Sequence, residues 1–237
     1  MKIFLTANWE NLIMINYEVN QSLLQPYLPK GVELDFFEGK TLVSLVGFMF
    51  KNTKIFGLPI PIFGTFEEIN LRFYVKRIVN GVERRGVVFI NETVPNKLVA
   101  WVANKLYKEH YTAATTQHNW KKNEQEQEIS YGLKVNNKWN NFTLIAHNQK
   151  DEMRHGSPEK FIFEHYFGYT KVNQHKTLEY KINHPSWEIN KIISFEVNFD
   201  FENFYGEAFG FLSQAKPHSV MLTAGSAVSV DWKRIAI

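Results

Sequence analysis

Residues 68–75 alternate strictly between polar and strongly apolar side chains, in the order Glu-Ile-Asn-Leu-Arg-Phe-Tyr-Val. Successive side chains of a β-strand point to opposite faces of a sheet, so this alternation predicts a strand with one polar and one apolar face. A carboxylate, an amide, a guanidinium and a phenol on one face suit a polar ligand. A solvated edge strand is the simpler alternative, because antiparallel sheets often leave one face in water. The polar face carries Glu68, Asn70, Arg72 and Tyr74.

Two further patterns predict β-hairpins. Residues 65–79 and 85–91 are strand-like and flank Asn80-Gly81, a pair that tolerates positive φ. Residues 129–135 and 139–146 flank a second turn at 136–138. More strand-like runs follow at 177–182, 192–199 and 220–232, and an aromatic share of 15% favours strands. We therefore expect most of the chain to be β-structure.

Helices are predicted at three places. Asn20 can cap a short helix, and Pro95 suits the first turn of a longer one that carries Leu98, Val99 and Val102 on one face. Ser157 can cap a third helix that runs to about residue 167. Many strands with two or three helices between them predict an α+β, mostly β fold, built on an antiparallel barrel-like sheet.

Length and composition limit the organisation and the partners. The 237 residues contain no linker-like tract and no repeat, so we expect one domain over 1–237. The net charge is only +3 and the basic residues are scattered, which argues against a nucleic-acid groove. No apolar run reaches the roughly 20 residues of a membrane span, and residues 1–9 become polar too soon for a signal peptide. We expect a soluble, cytoplasmic protein that has no membrane partner, and we leave its oligomeric state open.

The usual catalytic and cofactor motifs are missing from the sequence. There is no cysteine, and the eight histidines do not have the spacing of a metal site. Ala224-Gly225-Ser226-Ala227 lacks the second glycine of a hydrolase elbow, and no phosphate loop or dinucleotide fingerprint is present. We predict neither a metal nor a cofactor, and the catalytic residues, if any, stay unknown.

Two lysines offer an alternative chemistry. Lys105 and Lys108 lie one turn apart at the end of the predicted helix after Pro95. A lysine that is desolvated, or placed beside a second cation, can form a Schiff base. The other interpretation is that both amines lie in water near the negative end of the helix.

Several motifs together resemble the YqjF-like family, a domain of unknown function. They comprise residues 66–75, 85–89, 156–166 and 184–187, and the similarity extends from 28–31 to 228–232, which is nearly the whole chain. The resemblance implies a fold like that of acetoacetate decarboxylase, with a polar pocket and no established activity. It also implies that Glu68 matches the decarboxylases' pocket glutamate, and that Tyr111 stands about where their Schiff-base lysine would be.

We therefore predict an uncharacterised protein that binds a small polar or carboxylate-bearing metabolite in a barrel cavity lined by Glu68, Asn70 and Arg72. Decarboxylase activity is not expected, because a phenol cannot form an imine. One alternative is a Schiff-base decarboxylase or aldolase-like enzyme that uses Lys105 or Lys108. Another is a purely structural polar plug in which Glu68 and Arg72 bridge each other. The full predicted ligand-binding set is Glu68, Asn70, Arg72, Tyr74, Tyr111, Glu164, Tyr166 and His184.

Overall fold

The computed structural model describes residues 3–60, 64–232 and 235–237. Within them the protein is mostly β, and its strands belong to one sheet. The strands are β1 (Ile3–Val19), β2 (Glu33–Leu34), β3 (Thr41–Ile55), β4 (Leu58–Pro59), β5 (Phe66–Val79), β6 (Val82–Val94), β7 (Tyr111–Ala113), β8 (Thr116–Lys122), β9 (Glu126–Val135), β10 (Lys138–Glu152), β11 (Phe167–Asn173), β12 (Lys176–Asn183), β13 (Glu188–Asn198), β14 (Ser219–Asp231) and β15 (Ile235–Ala236). The α-helices are α1 (Gln21–Leu24), α2 (Lys97–Tyr107), α3 (Pro158–Phe163) and α4 (Phe201–Tyr205).

The sheet is mixed, with the strand order β15-β12-β11-β6-β5-β3-β1-β14-β13-β10-β9-β8. Most pairings are antiparallel, but β6 pairs in parallel with both β7 and β11. The prediction of a purely antiparallel sheet is therefore wrong at β6. For β7 the reason is the connection through α2, because a helix between two neighbouring strands lets the chain return in the same direction. A short pairing of β12 with β14 also links the strands from β14 through β1, β3, β5, β6 and β11 to β12 in a circuit.

The helix starts follow the predicted caps more closely than the helix ends do. Asn20 caps α1 through its side chain, and Ser157 caps α3. Pro95, predicted in the first turn of α2, lies just before the helix, because Asn96 is its cap. Helix α3 ends at Phe163 and does not reach residue 167, because residue 167 is the first of β11 and pairs with β6. No helix in the described part of the chain is long and apolar enough to cross a lipid bilayer.

The apolar face of β5 forms part of the main core. Ile69, Leu71 and Phe73 are fully buried there. The same cluster includes side chains from the strands β9 and β10 as well as from α4, among them Phe142 and Phe201. A second layer made of strands and helices therefore covers this face, and the opposite face of β5 is left to line a cavity.

Candidate functional site

A cavity of about 230 Å³ lies against the polar face of β5. Most of its lining is apolar, with contributions from β1, β3 and α2 that include Trp9, Phe48 and Val99. The lining contains only a few polar side chains. They are Thr53, Glu68, Asn70, Arg72, Glu92, Glu109, Tyr111 and Tyr180.

The alternation of β5 places Glu68, Asn70 and Arg72 together in this lining. Tyr74 shares the alternation but lies outside the cavity lining. Its hydroxyl is 2.5 Å from Ser44 Oγ, and its ring centroid is 4.8 Å from that of His165. The pattern thus identifies the face of the strand correctly, but it does not indicate where along the strand the cavity ends.

Asn70, Glu92 and Tyr111 form one row across three neighbouring strands. Asn70 on β5 pairs with Glu92 on β6, and Glu92 pairs with Tyr111 on β7. Directly opposed residues of paired strands have Cβ atoms about 5 Å apart. A β-bulge in β6, opposite Leu71 and Arg72, shifts the register, so Phe89 and Glu92 both line the cavity although their spacing is odd.

Tyr111 is held by the last turn of α2. The side chain of Asn104 makes two hydrogen bonds to the Tyr111 backbone: its Nδ2 donates to the carbonyl oxygen at 2.9 Å and its Oδ1 accepts from the amide at 2.7 Å. The Tyr111 hydroxyl donates to Glu68 Oε2 at 3.0 Å, and Asn70 Nδ2 donates to Glu68 Oε1 at 3.0 Å. Both oxygens of the Glu68 carboxyl therefore have partners.

Glu109 follows Lys108, the C-cap residue of α2, and is buried. Lys108 has a φ of 60°, in the left-handed region, where the helix ends. Glu109 Oε1 accepts a hydrogen bond from Thr170 Oγ1 and one from the Tyr180 hydroxyl at 2.9 Å. Glu68, Glu92 and Glu109, called the acidic cluster below, are each at most 6% exposed.

Burial makes the acidic cluster hold protons more tightly than exposed carboxyls do. It raises the pKa of Glu68 to about 7, against the opposing effect of hydrogen bonds from Asn70 and Tyr111 and of the Arg72 charge. It raises the pKa of Glu109 to about 7 as well. Burial, with the charges of Glu109 and Glu68, raises the pKa of Glu92 well above its usual value. At neutral pH the cluster can therefore donate as well as accept hydrogen bonds.

Arg72 does not form the ion pair that the sequence suggested. Its Nε is buried without a hydrogen-bond partner, and its Nη2 lies 3.5 Å from Met14 Sδ. Among the described residues no ion pair joins Arg72 to Glu68, so the predicted bridge is wrong. The reason is that Asn70, which lies between them on β5, and Tyr111 occupy the Glu68 oxygens instead.

Three predicted residues lie together in a different place. Glu164, Tyr166 and His184 are half-buried, and none of the three lines the cavity. The Tyr166 and His184 rings are 4.7 Å apart, and Glu164 accepts a hydrogen bond from Ser186 at 3.3 Å. The structure therefore divides the predicted set into a cavity group and a separate cluster near the start of β11. Tyr74, on β5, belongs to neither group.

Lysine is not part of this cavity in the described portion of the chain. Lys105 is exposed and its Nζ lies 4.7 Å from the exposed Trp101 ring. Lys108 is also exposed. Despite the acidic cluster, no group of three potential ligands within residues 3–60, 64–232 and 235–237 is arranged to hold a metal ion.

Glu92 and Glu109 are cavity residues that the sequence did not single out. Glu92 lies just beyond the predicted end of its strand, after the bulge that interrupts the period of two. Glu109 follows a helix end that carries no glycine signal.

Comparisons with known proteins agree with the fold and leave the activity open. The model of the family DUF2071, described as an uncharacterised conserved protein, matches residues 6–227. The uncharacterised protein YqjF of Bacillus subtilis is 35% identical over 68 residues, a match that spans 28% of each chain.

Solved structures with the acetoacetate decarboxylase-like fold resemble the whole chain at low identity. An acetoacetate decarboxylase-like enzyme from Sphingomonas wittichii superposes with a TM-score of 0.68 at 9% identity, over 100% of this chain and 94% of that one. The acetoacetate decarboxylase of Legionella pneumophila gives 0.64 at 13% identity, over 99% and 87%. The enduracididine biosynthesis enzyme MppR, complexed with pyruvate, gives 0.66 at 9% identity, over 100% and 91%. These likenesses establish the fold alone.

Proposed function

Because the chain belongs to the uncharacterised family DUF2071, we propose its function from the cavity: the protein binds a small organic molecule that has an apolar body and a carboxylate or carbonyl end. The observation that carries this proposal is the guanidinium of Arg72. It lines the cavity, its Nε is buried without a partner, and none of the neighbouring carboxyls pairs with it.

Arg72 is a half-buried cation whose buried Nε has no hydrogen-bond partner in the described part of the chain, and such a group favours an anionic ligand. The desolvation of a charged group is costly unless the group is paired and hydrogen-bonded. A ligand carboxylate at Arg72 supplies that missing charge, and guanidinium–carboxylate hydrogen bonds are among the stronger polar contacts in proteins. The raised pKa of Glu68 also lessens repulsion of such an anion, because the protonated carboxyl is neutral.

The remainder of the cavity favours a compact apolar ligand body. Its walls come largely from aromatic and aliphatic side chains, and its volume lies just below the roughly 300–1,000 Å³ of pockets for drug-sized ligands. A metabolite with a short branched or aromatic chain suits this space. The pyruvate complex of MppR supports a carboxylate ligand by analogy of fold only.

Calorimetric titration with 4-methylpentanoate and the uncharged 4-methylpentanamide tests the proposal. We expect Arg72→Met to weaken carboxylate binding by about 10- to 100-fold, the value of one hydrogen bond to a charged group. Arg154→Met, at an exposed arginine outside the cavity, is the matched control and should bind as the wild type does. Equal binding of acid and amide, or no binding of short carboxylates at millimolar concentration, would favour the alternative of a purely structural polar group.

The Schiff-base alternative is tested by incubation with pyruvate or acetoacetate and borohydride, followed by mass spectrometry. We expect no adduct on Lys105 or Lys108, because both amines are exposed while a Schiff-base lysine must be largely neutral near pH 7. A stable substrate-derived mass on either lysine, lost when that lysine is changed to Met, would make the protein a decarboxylase-like enzyme instead.

A further inference from the structure

Within the described part of the chain, three neighbouring cavity residues each have a buried polar atom without a hydrogen-bond partner: Asn70 Oδ1, Arg72 Nε and Glu92 Oε2. Asn70 and Glu92 are 1% and 3% exposed, so bulk water does not satisfy these atoms. Folded proteins satisfy nearly all of their buried polar atoms, and a local group of exceptions needs an explanation. A bound ligand that completes these hydrogen bonds is such an explanation.

The three atoms require different hydrogen-bonding groups from a ligand. Arg72 Nε can only donate a hydrogen bond. Asn70 Oδ1 can only accept one, and the amide nitrogen of the same side chain is already used on Glu68. A plain carboxylate supplies an acceptor to Arg72 but brings no donor for Asn70. The ligand therefore needs a second polar group near its carboxylate.

The strand register brings these requirements close together. Asn70 and Glu92 are directly paired across β5 and β6, so their side chains meet at one point of the cavity. Arg72 lies two residues further along the same face of β5, which is about 7 Å between Cα atoms. A ligand that contacts both residues therefore carries its donor within a few carbon atoms of its carboxylate.

We propose, building on the function proposed above, that the cavity selects hydroxy carboxylates: the carboxylate binds Arg72, a hydroxyl on carbon 2 or 3 donates to Asn70 Oδ1, and the alkyl or aryl chain packs on the apolar wall. The same hydroxyl oxygen accepts a hydrogen bond from Glu92.

A hydroxyl fits this point better than the other common substituents. Burial and the neighbouring carboxyls favour the neutral form of Glu92, whose pKa lies well above its usual value, so this side chain carries a proton to donate. A hydroxyl both donates and accepts, and so it satisfies Asn70 and neutral Glu92 together. A keto oxygen has no donor for Asn70. An ammonium group has no acceptor for Glu92 and adds a second cation beside Arg72.

The test compares acids that share one carbon skeleton in calorimetric titrations at pH 6.5. They are 4-methylpentanoate, its 2-hydroxy, 3-hydroxy and 2-oxo derivatives, and leucine. We expect one of the hydroxy acids to bind the wild type at least about 10-fold more tightly than 4-methylpentanoate, as a site with buried unpaired polar atoms discriminates strongly. Asn70→Leu should reduce that ratio to about one while it leaves the affinity for 4-methylpentanoate unchanged.

Two further variants test whether the preference for a hydroxy acid depends on Asn70 itself. Asn119→Leu, at an exposed asparagine outside the cavity, is the matched control and should keep the wild-type ratio. Arg72→Met should weaken all the acids together and also keep the ratio. If Asn70→Leu does not fold by circular dichroism, the wild-type comparison of the five acids decides by itself.

The outcomes distinguish this inference from the function on which it rests. Equal affinity for 4-methylpentanoate and both hydroxy acids would overturn the selection of a hydroxyl and leave carboxylate binding standing. Tightest binding of leucine or of the 2-oxo acid would overturn it in favour of another head group. Failure of every acid to bind would overturn both.

Discussion

Raising the pH from 6.5 to 8.5 is expected to destabilise this protein, because the acidic cluster is buried. Glu68 and Glu109 titrate at about 7 in the folded protein, whereas an ordinary glutamate titrates at 4.5. Between these values the folded state binds more protons than the unfolded state does. The free energy of unfolding therefore falls as the pH rises through 7. Glu92, whose pKa is raised further, acts in the same direction.

The magnitude follows from the two pKa values. A carboxyl that moves from 4.5 to about 7 contributes a total of about 3 kcal/mol, at about 1.4 kcal/mol per pKa unit. Of this, about 1 kcal/mol per carboxyl is lost between pH 6.5 and 8.5. His165 has the opposite sign, since burial lowers its pKa to about 4 and stability then falls below pH 6.5. Above pH 6.5 the carboxyls therefore dominate, because His165 and His184, whose pKa values burial lowers, each raise the stability by no more than about 0.4 kcal/mol over that range.

Urea denaturation at pH 6.5, 7.5 and 8.5 measures this loss, which we expect to reach about 2 kcal/mol or more in the wild type. Glu92→Gln keeps the shape of a protonated glutamate but cannot ionise. This variant should be less sensitive to pH and more stable than the wild type at pH 8.5. Glu188→Gln, at an exposed carboxyl, is the control and should follow the wild type. Stability that is flat or rises with pH, or an unchanged slope in Glu92→Gln, would refute this reasoning.

The remaining predictions concern single side chains. Arg72→Met should change the free energy of unfolding at pH 6.5 by no more than about 1 kcal/mol, because no ion pair is broken and a buried unpartnered Nε is removed; a loss of about 3 kcal/mol or more, typical of a broken buried pair, would contradict this. The same change should raise the Glu68 pKa, measured by carboxyl NMR titration, since the Arg72 charge lowers it. Gly225→Ala should destabilise the fold by at least about 2 kcal/mol in urea titrations, because Gly225 has a φ of +78° and an added Cβ would lie 2.1 Å from the Trp9 carbonyl oxygen; a wild-type midpoint would mean that the strand can shift.

The alternation in residues 68–75 predicts the cavity side of β5 because the strand runs unbroken through it. The register keeps Glu68, Asn70 and Arg72 on one face, and the hydrophobic face beneath them is fully buried. Periodicity predicts which face of the strand lines the cavity, but it does not predict where along the strand the cavity ends. Tyr74 lies further along the same face, where it contacts Ser44 and His165 and does not line the cavity.

The acidic cluster could not be predicted in the same way, since contacts between distant parts of the chain form it. The burial of Glu109 depends on Thr170 and Tyr180, which are 61 and 71 residues away in sequence. The inward direction of Glu92 depends on a bulge that breaks the period of two. Neither feature leaves a local pattern that a single sequence would reveal.

The identity of residue 111 bears on why the predicted Glu68–Arg72 bridge is absent. The sequence resemblance to the decarboxylases predicts that Tyr111 stands about where their lysine would be, and a lysine there would bring a cation to the acidic cluster. A phenol brings a hydrogen bond to Glu68 without a positive charge. Burial raises the pKa of Glu68 to about 7, and with a phenol at residue 111 no positive charge at that position opposes this effect. A protonated Glu68 has little need of an ion pair, which agrees with the lack of one between Glu68 and Arg72 in the described residues.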